Sequence, residues 1–240
     1  MDIAFLCGGE GTRLRPLTYA VPKPMLPIGP IPILEINITK ARKNGFRRQF
    51  LMVNYKSEVI RGYFGDGNTL DVEIQYFEER ERRGTAGPLT ALKEHVIEPF
   101  IVMNADVLTD LDLKKLWKFH ESEKASLTVA LKRVKLDIPY GVASLVEDSR
   151  ISQLDEKPTV EYLINAGIYC VSPELLDNIP LSGVYHMTQL IDDCLAKDQS
   201  VLGFVFEDSW RDIGRLDDYM KARHDNGDDE PIGKFGSTFT

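Results

Sequence analysis

Short apolar runs recur along the 240-residue chain and alternate with segments in which apolar residues repeat every three or four positions. Runs rich in Val, Ile, Phe and Tyr predict buried strands, whereas the longer repeat predicts amphipathic helices. The predicted strands are 2–7, 49–54, 72–77, 100–104, 127–131, 166–171 and 201–206. The predicted helices are 32–44, 57–64 and 113–123. The alternation predicts an α/β fold with a Rossmann-like, mainly parallel sheet flanked by helices, whose ligands bind at the carboxyl ends of the strands.

Length and composition predict one large domain. A chain of this length with 43% hydrophobic and 28% charged residues can bury a sizeable core. We assign residues 1–224 to that domain. The remaining residues, 225–240, are rich in Gly and Asp and are expected to form a C-terminal extension.

Charge and cysteine content exclude several kinds of partner. The formal net charge of −8 argues against nucleic acid or an anionic membrane as a partner, because proteins that neutralise many phosphates are normally basic. No segment approaches the ~20 apolar residues of a membrane span, and no secretory signal is recognised. Cys7, Cys170 and Cys194 lack the spacing of a zinc site, which predicts buried thiols. We therefore expect a cytoplasmic protein.

The segment after the first predicted strand has the character of an anion site. Gly8, Gly9 and Gly11 allow a ligand to approach the backbone closely, and Arg13 and Lys23 supply positive charge. A proline on each side of Lys23 stiffens the backbone that carries it. The dinucleotide and P-loop fingerprints are both absent, because position 14 is not glycine or alanine and no Gly-Lys-Ser/Thr occurs here. The pattern predicts a loop that holds a phosphate chain.

Two acidic residues follow predicted strands and are candidate metal ligands. Asp106 comes just after strand 100–104, and Asp212 follows strand 201–206. Two carboxylates together with a triphosphate form a normal oxygen site for Mg²⁺. We therefore expect Mg²⁺ as the cofactor, held by these two side chains.

Seven sequence blocks, in this order, resemble the sugar-1-phosphate nucleotidylyltransferase family, particularly its mannose-1-phosphate guanylyltransferase and glucose-1-phosphate thymidylyltransferase branch. The blocks are GGEGTRLRPLT (8–18) with PKP (22–24), GTAG (84–87), NAD (104–106), YG (140–141), EKP (156–158), NAG (165–167) and WRDIG (210–214). The resemblance covers roughly residues 1–223. It implies the nucleotide-diphospho-sugar transferase type of fold and the transfer of a nucleotidyl group to a sugar 1-phosphate, which releases pyrophosphate.

The resemblance also assigns roles to individual positions. It implies nucleotide contacts by Leu6, Gly8, Gly9, Gly11, Thr12, Arg13, Lys23, Gly84, Thr85, Gly87 and Asp106. It implies sugar-phosphate contacts by Tyr140, Gly141, Glu156, Lys157, Asn165 and Gly167. The expected catalytic residues are Arg13, Lys23, Asp106 and Lys157, and the matching carboxylates of the family hold the metal.

The nucleobase and the sugar are less closely defined. The run 84–89 looks most like the guanylyl branch and favours GTP, with dTTP, UTP or CTP as alternatives and mannose, glucosamine or a heptose as the sugar. Cys7 and Arg83 depart from the alanine and leucine that are usual in the family, which predicts a changed base pocket. A noncatalytic nucleotide-sugar sensor is the other alternative, and a homo-oligomer is possible. The four histidines, which are expected to be structural or exposed, are His95, His120, His186 and His224.

Overall fold

A seven-stranded mixed sheet forms the centre of the computed structural model, which describes residues 1–79, 81–147, 149–225 and 227. The strands are β1 (Asp2–Leu6), β2 (Pro27–Ile28), β3 (Ile31–Pro32), β4 (Arg48–Val53), β5 (Glu73–Glu78), β6 (Phe100–Asn104), β7 (Val107–Thr109), β8 (Leu127–Asp137), β9 (Gly141–Val146), β10 (Arg150–Glu156), β11 (Thr159–Val171), β12 (Val201–Phe206) and β13 (Trp210–Asp212). The α-helices are α1 (Ile33–Lys43), α2 (Ser57–Phe64), α3 (Leu113–Ser122), α4 (Met187–Ala196) and α5 (Leu216–Asp225).

The order of strands in the large sheet is β12-β8-β11-β6-β1-β4-β5. Strand β1 runs parallel to β4 and β6, and β4 runs parallel to β5. Strand β11 is antiparallel to both β6 and β8, whereas β12 is parallel to β8. The predicted Rossmann-like, mainly parallel mixed sheet flanked by helices is therefore confirmed.

Two apolar layers cover the sheet because the side chains of its central strands alternate between its faces. In β1, Ile3 and Phe5 pack into the layer that contains α1, α2 and α3, whereas Ala4 packs into the layer that contains α4. All three side chains are fully buried. Full burial of a large apolar side chain contributes about 1.5–3 kcal/mol, so these layers fix the strand ends from which the site loops leave.

A third, smaller apolar cluster joins the loop after β1 to the last elements of the fold. Leu14 from that loop packs with Ile213, which follows β13, and with Tyr219 of α5. The Tyr219 hydroxyl also donates to the Pro27 carbonyl oxygen at 2.8 Å. The loop that was predicted to hold phosphate therefore packs against residues that lie about 200 positions later in the chain.

All seven predicted strands and all three predicted helices are present. Their bounds agree within one or two residues, except that β8 extends to Asp137 and β11 begins at Thr159. The pattern analysis did not find β9 and β10, which form a separate antiparallel hairpin. Every described residue of these two strands is exposed, so no buried apolar face distinguished them in the sequence. It also missed the helices α4 and α5 and the short strands β2, β3, β7 and β13.

The three thiols are free and buried, as predicted. Burial raises the pKa of Cys7 and Cys170 well above the ordinary range of a thiol. Among the described residues, no helix combines the length and the apolar character that crossing a bilayer requires. Helix α5 ends at Asp225, and the predicted extension 225–240 lies almost entirely outside the described residues.

Candidate active site

The loop that leaves the carboxyl end of β1 is folded tightly by its glycines. Gly11 has a φ of +62°, and a Cβ there would lie 2.8 Å from Thr18 Cγ2. Thr18 in turn donates its hydroxyl to the Gly11 carbonyl oxygen at 2.9 Å. A larger residue at position 11 would therefore both strain the backbone and push the loop apart. Gly8 and Gly9, by contrast, lie along the wall of a pocket.

Lys23 is directed inward, toward the carboxylates. It begins a short 3-10 turn after Pro22, and only 8% of the residue is exposed. Its Nζ donates to Asp106 Oδ2 and lies 4.0 Å from Asp212 Oδ1. A buried ammonium group next to two carboxylates is the arrangement expected of a fixed charge rather than of a solvated surface lysine.

A short antiparallel pair of strands brings the two carboxylates together. Asp212 of β13 pairs with Val107 of β7, and the Ile213 N–H donates to the Asp106 carbonyl oxygen at 3.0 Å. Burial and the negative charge of Asp106 raise the pKa of Asp212, while Lys23 and Arg13 oppose that rise. The two predicted metal ligands and the two predicted phosphate-binding cations therefore form one electrostatic cluster.

Gly214 leaves room for the side chains of Asp212 and Arg13. A Cβ at position 214 would lie 3.0 Å from Asp212 Oδ2 and 3.7 Å from Arg13 Nη2. The absence of a side chain therefore leaves the carboxylate and the guanidinium free to approach the same space. No group of three or more His, Cys, Asp or Glu side chains suited to a metal occurs within the described ranges. Two carboxylates fit Mg²⁺ only together with ligand oxygens from a substrate.

A pocket of about 290 Å³ lies beside the cluster, between the loop after β1 and the segment after β5. Its lining consists of Leu6, Gly8, Gly9, Glu10, Met52, Glu79, Arg82, Arg83, Gly84, Thr85, Pro88, Asn104, Asp106 and His186. Arg82 and Arg15 both form ion pairs with Glu10, which links the two walls. Six of the predicted nucleotide-binding residues therefore border one cavity, and Arg13 and Lys23 reach the adjoining carboxylates.

The segment 84–87 is held by the residues that precede α4. Gly84 has a φ of +79°, and a Cβ there would lie 2.6 Å from the Tyr185 carbonyl oxygen. The Gly87 N–H donates to the same oxygen at 3.0 Å, and the Met187 N–H donates to Thr85 Oγ1 at 2.9 Å. Gly87 does not line the pocket, because its N–H is used in this contact. Its predicted role in nucleotide binding stays a prediction.

Glu79 is a pocket residue with an unpaired acceptor atom. It follows β5 directly, and burial raises its pKa to about 7 although Arg83 opposes the shift. Its Oε1 is buried and has no hydrogen-bond partner among the described residues. A buried acceptor without a donor is costly by about 1–3 kcal/mol. The geometry therefore favours a ligand that donates hydrogen bonds at this position.

A second pocket lies on the other side of the carboxylates. It is lined by Asn104, Val107, Asn165, Ala166, Gly167, Tyr169, Trp210 and Asp212. The Gly167 N–H donates to Asn165 Oδ1 at 2.9 Å, and a Cβ on Gly167 would lie 2.5 Å from Asn104 Nδ2. Two of the predicted sugar-side residues, Asn165 and Gly167, are therefore present at the site and share it with Asp212.

The other four predicted sugar-side residues lie where the β9–β10 hairpin joins the sheet. Gly141 pairs with Glu156, and the Lys157 N–H donates to the Tyr140 carbonyl oxygen at 3.3 Å. All four are exposed, and none of them lines either of the two pockets described above. The structure thus brings these four residues together with one another but leaves them open to solvent.

Comparison with known proteins identifies the family. The sequence model of a family described as "Nucleotidyl transferase" matches residues 4–228. The chain belongs to this nucleotidyl transferase family.

It is 33% identical over 232 residues to the mannose-1-phosphate guanylyltransferase of Mycobacterium tuberculosis (strain ATCC 25618 / H37Rv), an alignment that covers 94% of this chain and 64% of that protein. It is 34% identical to the UTP--glucose-1-phosphate uridylyltransferase of Synechocystis sp. (strain ATCC 27184 / PCC 6803 / Kazusa), over 92% of this chain and 62% of that protein.

A solved structure of similar size also matches this nucleotidyl transferase. The crystal structure of HddC from Yersinia pseudotuberculosis complexed with GMP-PN superimposes with a TM-score of 0.73 and 26% sequence identity. The match covers 93% of this chain and 98% of that one. By contrast, the chain spans less than two thirds of the length of the two relatives compared by sequence.

The sequence analysis gave no nucleotide role to several pocket residues of this nucleotidyl transferase, among them Glu79, Asn104 and His186. Glu79 and Asn104 stand at the carboxyl ends of β5 and β6, the edge of the sheet where ligands bind in α/β folds. His186 was expected to be structural or exposed, and it is both, because it is exposed and caps the start of α4. The contact of Gly84 with Tyr185 also places it on the pocket wall. No local pattern could have revealed a contact across a hundred positions.

The two departures from the usual family residues have different outcomes. Cys7 is fully buried and does not line the pocket, so its effect on the base pocket stays a prediction. Arg83 does line the pocket. It donates from Nη1 to Thr90 Oγ1 at 2.8 Å and from Nη2 to the Pro180 carbonyl oxygen at 2.5 Å. Arg83 therefore forms a fixed part of the rim and opposes the burial-induced rise in the pKa of Glu79.

Proposed function

We propose that the protein transfers a nucleotidyl group from a nucleoside triphosphate to a sugar 1-phosphate, which gives a nucleoside-diphosphate sugar and pyrophosphate. The observation that carries this proposal is the cluster of Arg13, Lys23, Asp106 and Asp212 between two pockets. One pocket has the glycine-lined wall suited to a nucleotide, and the other has amide groups suited to a sugar. The relatives compared above support the same class of reaction, because they are named as a guanylyltransferase and a uridylyltransferase of sugar 1-phosphates.

The reaction needs charge compensation more than it needs a general base. A sugar 1-phosphate has a second pKa near ~6, so its attacking oxygen is already mostly ionised at neutral pH. The difficulty is that a dianion must approach the α-phosphorus of a strongly negative triphosphate. Arg13 and Lys23 reduce this repulsion and orient the phosphates, and Lys157 is proposed to hold the sugar phosphate. The attacking oxygen forms a bond to the α-phosphorus as the bond to pyrophosphate breaks.

Asp106 and Asp212 are the residues that would hold Mg²⁺. Their side chains approach the same lysine, and the negative charge of Asp106 helps to raise the pKa of Asp212, which is an arrangement that a divalent cation relieves. When bound, Mg²⁺ would neutralise phosphate charge and help align the attacking and leaving oxygens. The protein's own contribution is to fix both carboxylates through the β7–β13 pair.

We propose GTP as the preferred nucleotide. Guanine presents two neighbouring donors, the N1–H and the N2 amino group, to a hydrogen-bonding partner. Glu79 offers a carboxylate whose buried Oε1 has no donor among the described residues. The structural relative that was crystallised with GMP-PN is consistent with a guanine site in this fold. Uracil and thymine present one ring N–H between two carbonyl oxygens, so a carboxylate suits them less well.

The alternatives differ in what they require of the site. The Synechocystis relative carries the name of a UTP enzyme, so UTP, dTTP or CTP could take the place of GTP in the same reaction. A noncatalytic nucleotide-sugar sensor would not need the buried lysine or the paired carboxylates, and the chain retains both. Mannose, glucosamine and heptose 1-phosphates all remain candidate acceptors, because the described sugar-side groups fit any of them.

The cellular setting follows from the same features. Three free, buried thiols fit a reducing compartment, and we place the reaction in the cytoplasm. The acidic net charge supports small-molecule substrates rather than nucleic acid. We also propose that the chain works as a homo-oligomer, because the β9–β10 hairpin is exposed along its whole described length.

The reaction is tested with a substrate panel. Purified protein with Mg²⁺ is offered GTP, dTTP, UTP, CTP and ATP against hexose, hexosamine and heptose 1-phosphates, and pyrophosphate release is measured. We expect release only when both substrates are present, and fastest release with GTP. Fastest release with dTTP or UTP would contradict the guanine assignment but not the reaction class. Nucleotide binding without release across the panel would instead support the sensor.

Glu79→Gln tests the base assignment directly. The amide keeps the size of the side chain but replaces one acceptor by a donor, so kcat/KM for GTP is expected to fall about 10–100-fold. The preference should shift toward UTP, whose base can pair with a group that both donates and accepts. Glu78→Gln is the matched control, because that side chain faces Ser57 and Arg61 instead. Equal effects of the two substitutions would exclude Glu79 as the base-reading residue.

A further inference from the structure

His186 lines the pocket between the loop after β1 and the segment after β5, and the chain on both sides of it is bonded to that segment. Just before it, the Tyr185 carbonyl oxygen accepts from the Gly87 N–H at 3.0 Å. Just after it, the Met187 N–H donates to Thr85 Oγ1 at 2.9 Å. The pocket wall therefore fixes the position of His186, although its side chain is exposed.

The first turn of α4 sets the orientation of the imidazole ring. The His186 N–H donates to Gln189 Oε1 at 2.8 Å, and the ring faces the Gln189 N–H, which completes a capping box. Nδ1 is the ring nitrogen close enough to the backbone to accept in this way, and it lies 3.0 Å from the place of a Cβ on Gly84. An accepting nitrogen carries no hydrogen, so the network assigns the hydrogen of the neutral ring to Nε2.

The Nε2–H group is the donor that this ring offers to a ligand. Within the part of the chain that the structure describes, Nε2 has no hydrogen-bond partner. Glu79 lines the same pocket and offers the complementary group, because its buried Oε1 lacks a donor among the described residues. The pocket therefore presents one donor and one acceptor to the molecule that enters it.

Both groups lie at the end of the pocket that is away from the phosphate-binding cluster. Glu79 follows β5 and Asp106 follows β6, and strands β1 and β4 lie between them in the sheet. Neighbouring strands are ~4.8 Å apart, so these strand ends are roughly 14 Å apart. The Tyr185 N–H donates to the Arg83 carbonyl oxygen at 2.9 Å, which ties His186 to the Glu79 end. A nucleotide with its phosphates near Asp106 therefore has its base near Glu79 and His186.

We propose that His186 is a base-reading residue, whose Nε2–H donates to the carbonyl oxygen beside the ring N–H that Glu79 accepts. This inference rests on the nucleotide-binding part of the proposed function. Guanine and thymine carry such an oxygen, as O6 and O4, and uracil shares the O4 of thymine, whereas adenine and cytosine carry an amino group there. An amino group would place a donor against Nε2–H and leave both unsatisfied. His186 therefore selects GTP, UTP and dTTP as a class over ATP and CTP.

The two residues divide the selection between them. The Glu79 carboxylate favours guanine within this class, because guanine presents two neighbouring donors. His186 defines the class itself, because it requires an acceptor beside the ring N–H. Substitution of Glu79 should therefore change the ratio of GTP to UTP binding, whereas substitution of His186 should change the ratios of GTP to ATP and of UTP to CTP.

Calorimetry of nucleotide binding to the full chain, without sugar 1-phosphate, tests this role. We expect the wild type to bind GTP more tightly than ATP, and UTP more tightly than CTP. His186→Ser keeps a good helix cap but is too short to reach the base. Its binding of GTP and UTP should weaken about tenfold, the loss of one hydrogen bond, while binding of ATP and CTP changes less than about twofold.

Gln189→Ala is the matched control. It removes the other half of the capping box but leaves the imidazole in place, and Gln189 does not line the pocket. We expect its preference among the four nucleotides to equal that of the wild type. Circular dichroism checks that both variants are folded. A change of preference in Gln189→Ala as large as that in His186→Ser would assign the effect to the cap and overturn the proposal.

A modified nucleotide isolates the carbonyl oxygen without any substitution in the protein. In 6-thio-GTP the ring N–H and the amino group are kept, but O6 is replaced by sulfur, which is a weaker acceptor. The wild type should bind 6-thio-GTP several-fold more weakly than GTP, and His186→Ser should bind the two equally. The same loss in both proteins would show that O6 meets a donor other than His186.

The remaining outcomes separate this inference from the proposed reaction. A wild type that binds ATP as tightly as GTP, or a folded His186→Ser that weakens all four nucleotides equally, would overturn the base-reading role. A preference that depends on His186, without pyrophosphate release from any substrate pair, would support that role and reject the proposed reaction. Pyrophosphate release with an unchanged preference in His186→Ser would reject the role of His186 alone.

Discussion

The site has a nucleotide side, formed by the loop after β1 and the pocket beside it, and a sugar side where the β9–β10 hairpin joins the sheet. The two sides differ in how rigidly the protein holds their residues. Lys23 on the nucleotide side is 8% exposed and bonded to Asp106, and the loop around it packs on Leu14, Ile213 and Tyr219. On the sugar side, Tyr140 is 74% exposed and Lys157 has no ion-pair partner among the described residues. The first side is organised before a ligand arrives, whereas the second depends on what covers it. Loss of the Lys23 charge should therefore affect both folding and catalysis, whereas loss of the Lys157 charge should affect only binding.

Lys23→Ala should give the largest effect. Turnover is expected to fall about 1,000-fold, since a buried, oriented charge that stabilises the transition state is worth several kcal/mol. The free energy of unfolding should also fall by about 1–3 kcal/mol, because Asp106 loses its bonded cation. Pyrophosphate release and thermal unfolding measure the two effects. Lys56→Ala is the control, because it removes a partly buried lysine that donates to the carbonyl oxygens of Tyr19 and Ala20 and has no ion pair in the described chain. Unchanged stability would show that Lys23 is not part of a prebuilt cluster.

Asp212→Asn should separate catalysis from folding. We expect turnover in Mg²⁺ to fall about 100-fold, because an amide is a poor replacement for a metal-binding carboxylate. Burial and Asp106 raise the pKa of Asp212, so its ionised form costs the folded state free energy at neutral pH. The variant should therefore be at least as stable as the wild type when unfolding is measured without divalent cations. Removal of Mg²⁺ by EDTA should abolish wild-type turnover, and substantial activity of the variant in Mg²⁺ would reject this assignment.

Lys157→Ala should affect the sugar side alone. KM for the sugar 1-phosphate is expected to rise about tenfold, or about 1.4 kcal/mol, while nucleotide binding and the melting temperature stay unchanged. Lys157 is exposed and has a φ of +50°, so its side chain adds nothing to the core. Lys135→Ala is the control, because it removes an exposed lysine of β8 that pairs with Glu161 of β11. A large loss of stability in Lys157→Ala would contradict the contrast between the two sides.

The smallest expected effect is a pH dependence of GTP binding that arises from Glu79. Its pKa is raised from 4.5 to about 7, so a smaller fraction of the pocket carries the carboxylate at pH 6.5 than at pH 8. If guanine binds the ionised form, the Kd of GTP should be roughly fourfold weaker at pH 6.5 than at pH 8. Calorimetry with wild type and Glu79→Gln measures this difference. The same slope in both proteins would assign it to another group.

The same group affects stability in the opposite direction. Between about pH 4.5 and 7 the folded protein holds a proton on Glu79 that the unfolded chain has already released. The free energy of unfolding therefore falls as the pH rises through this window, and Glu79→Gln should lack this component of the slope. Low pH thus favours the empty folded protein, and higher pH favours the protein bound to GTP.

The nucleotide side could largely be predicted from the sequence, and the sugar side could not. Buried strands and glycine-rich turns leave local patterns, which is why β1, β6 and the loop at Gly8 were found. The β9–β10 hairpin lacks a buried face within one chain, so its pattern is weak. Glu79 was missed because an acidic residue after a strand is common, and its significance comes from burial. His186 depends on a distant contact that no local pattern records.

The three-residue pairing of β7 with β13 has a consequence for the order in which the protein matures. Asp106 and Asp212 lie more than a hundred positions apart, and they are brought together by this pairing, by the Ile213 N–H bond and by bonds from Thr109 and Asp110 to the Ser209 carbonyl oxygen. Such non-local contacts form late, because the intervening chain must first be ordered. During synthesis the paired carboxylates can form only after β13 has left the ribosome, so a nascent chain that already contains the glycine-rich loop is still inactive. Catalytic activity is therefore expected only after almost the whole described fold has formed.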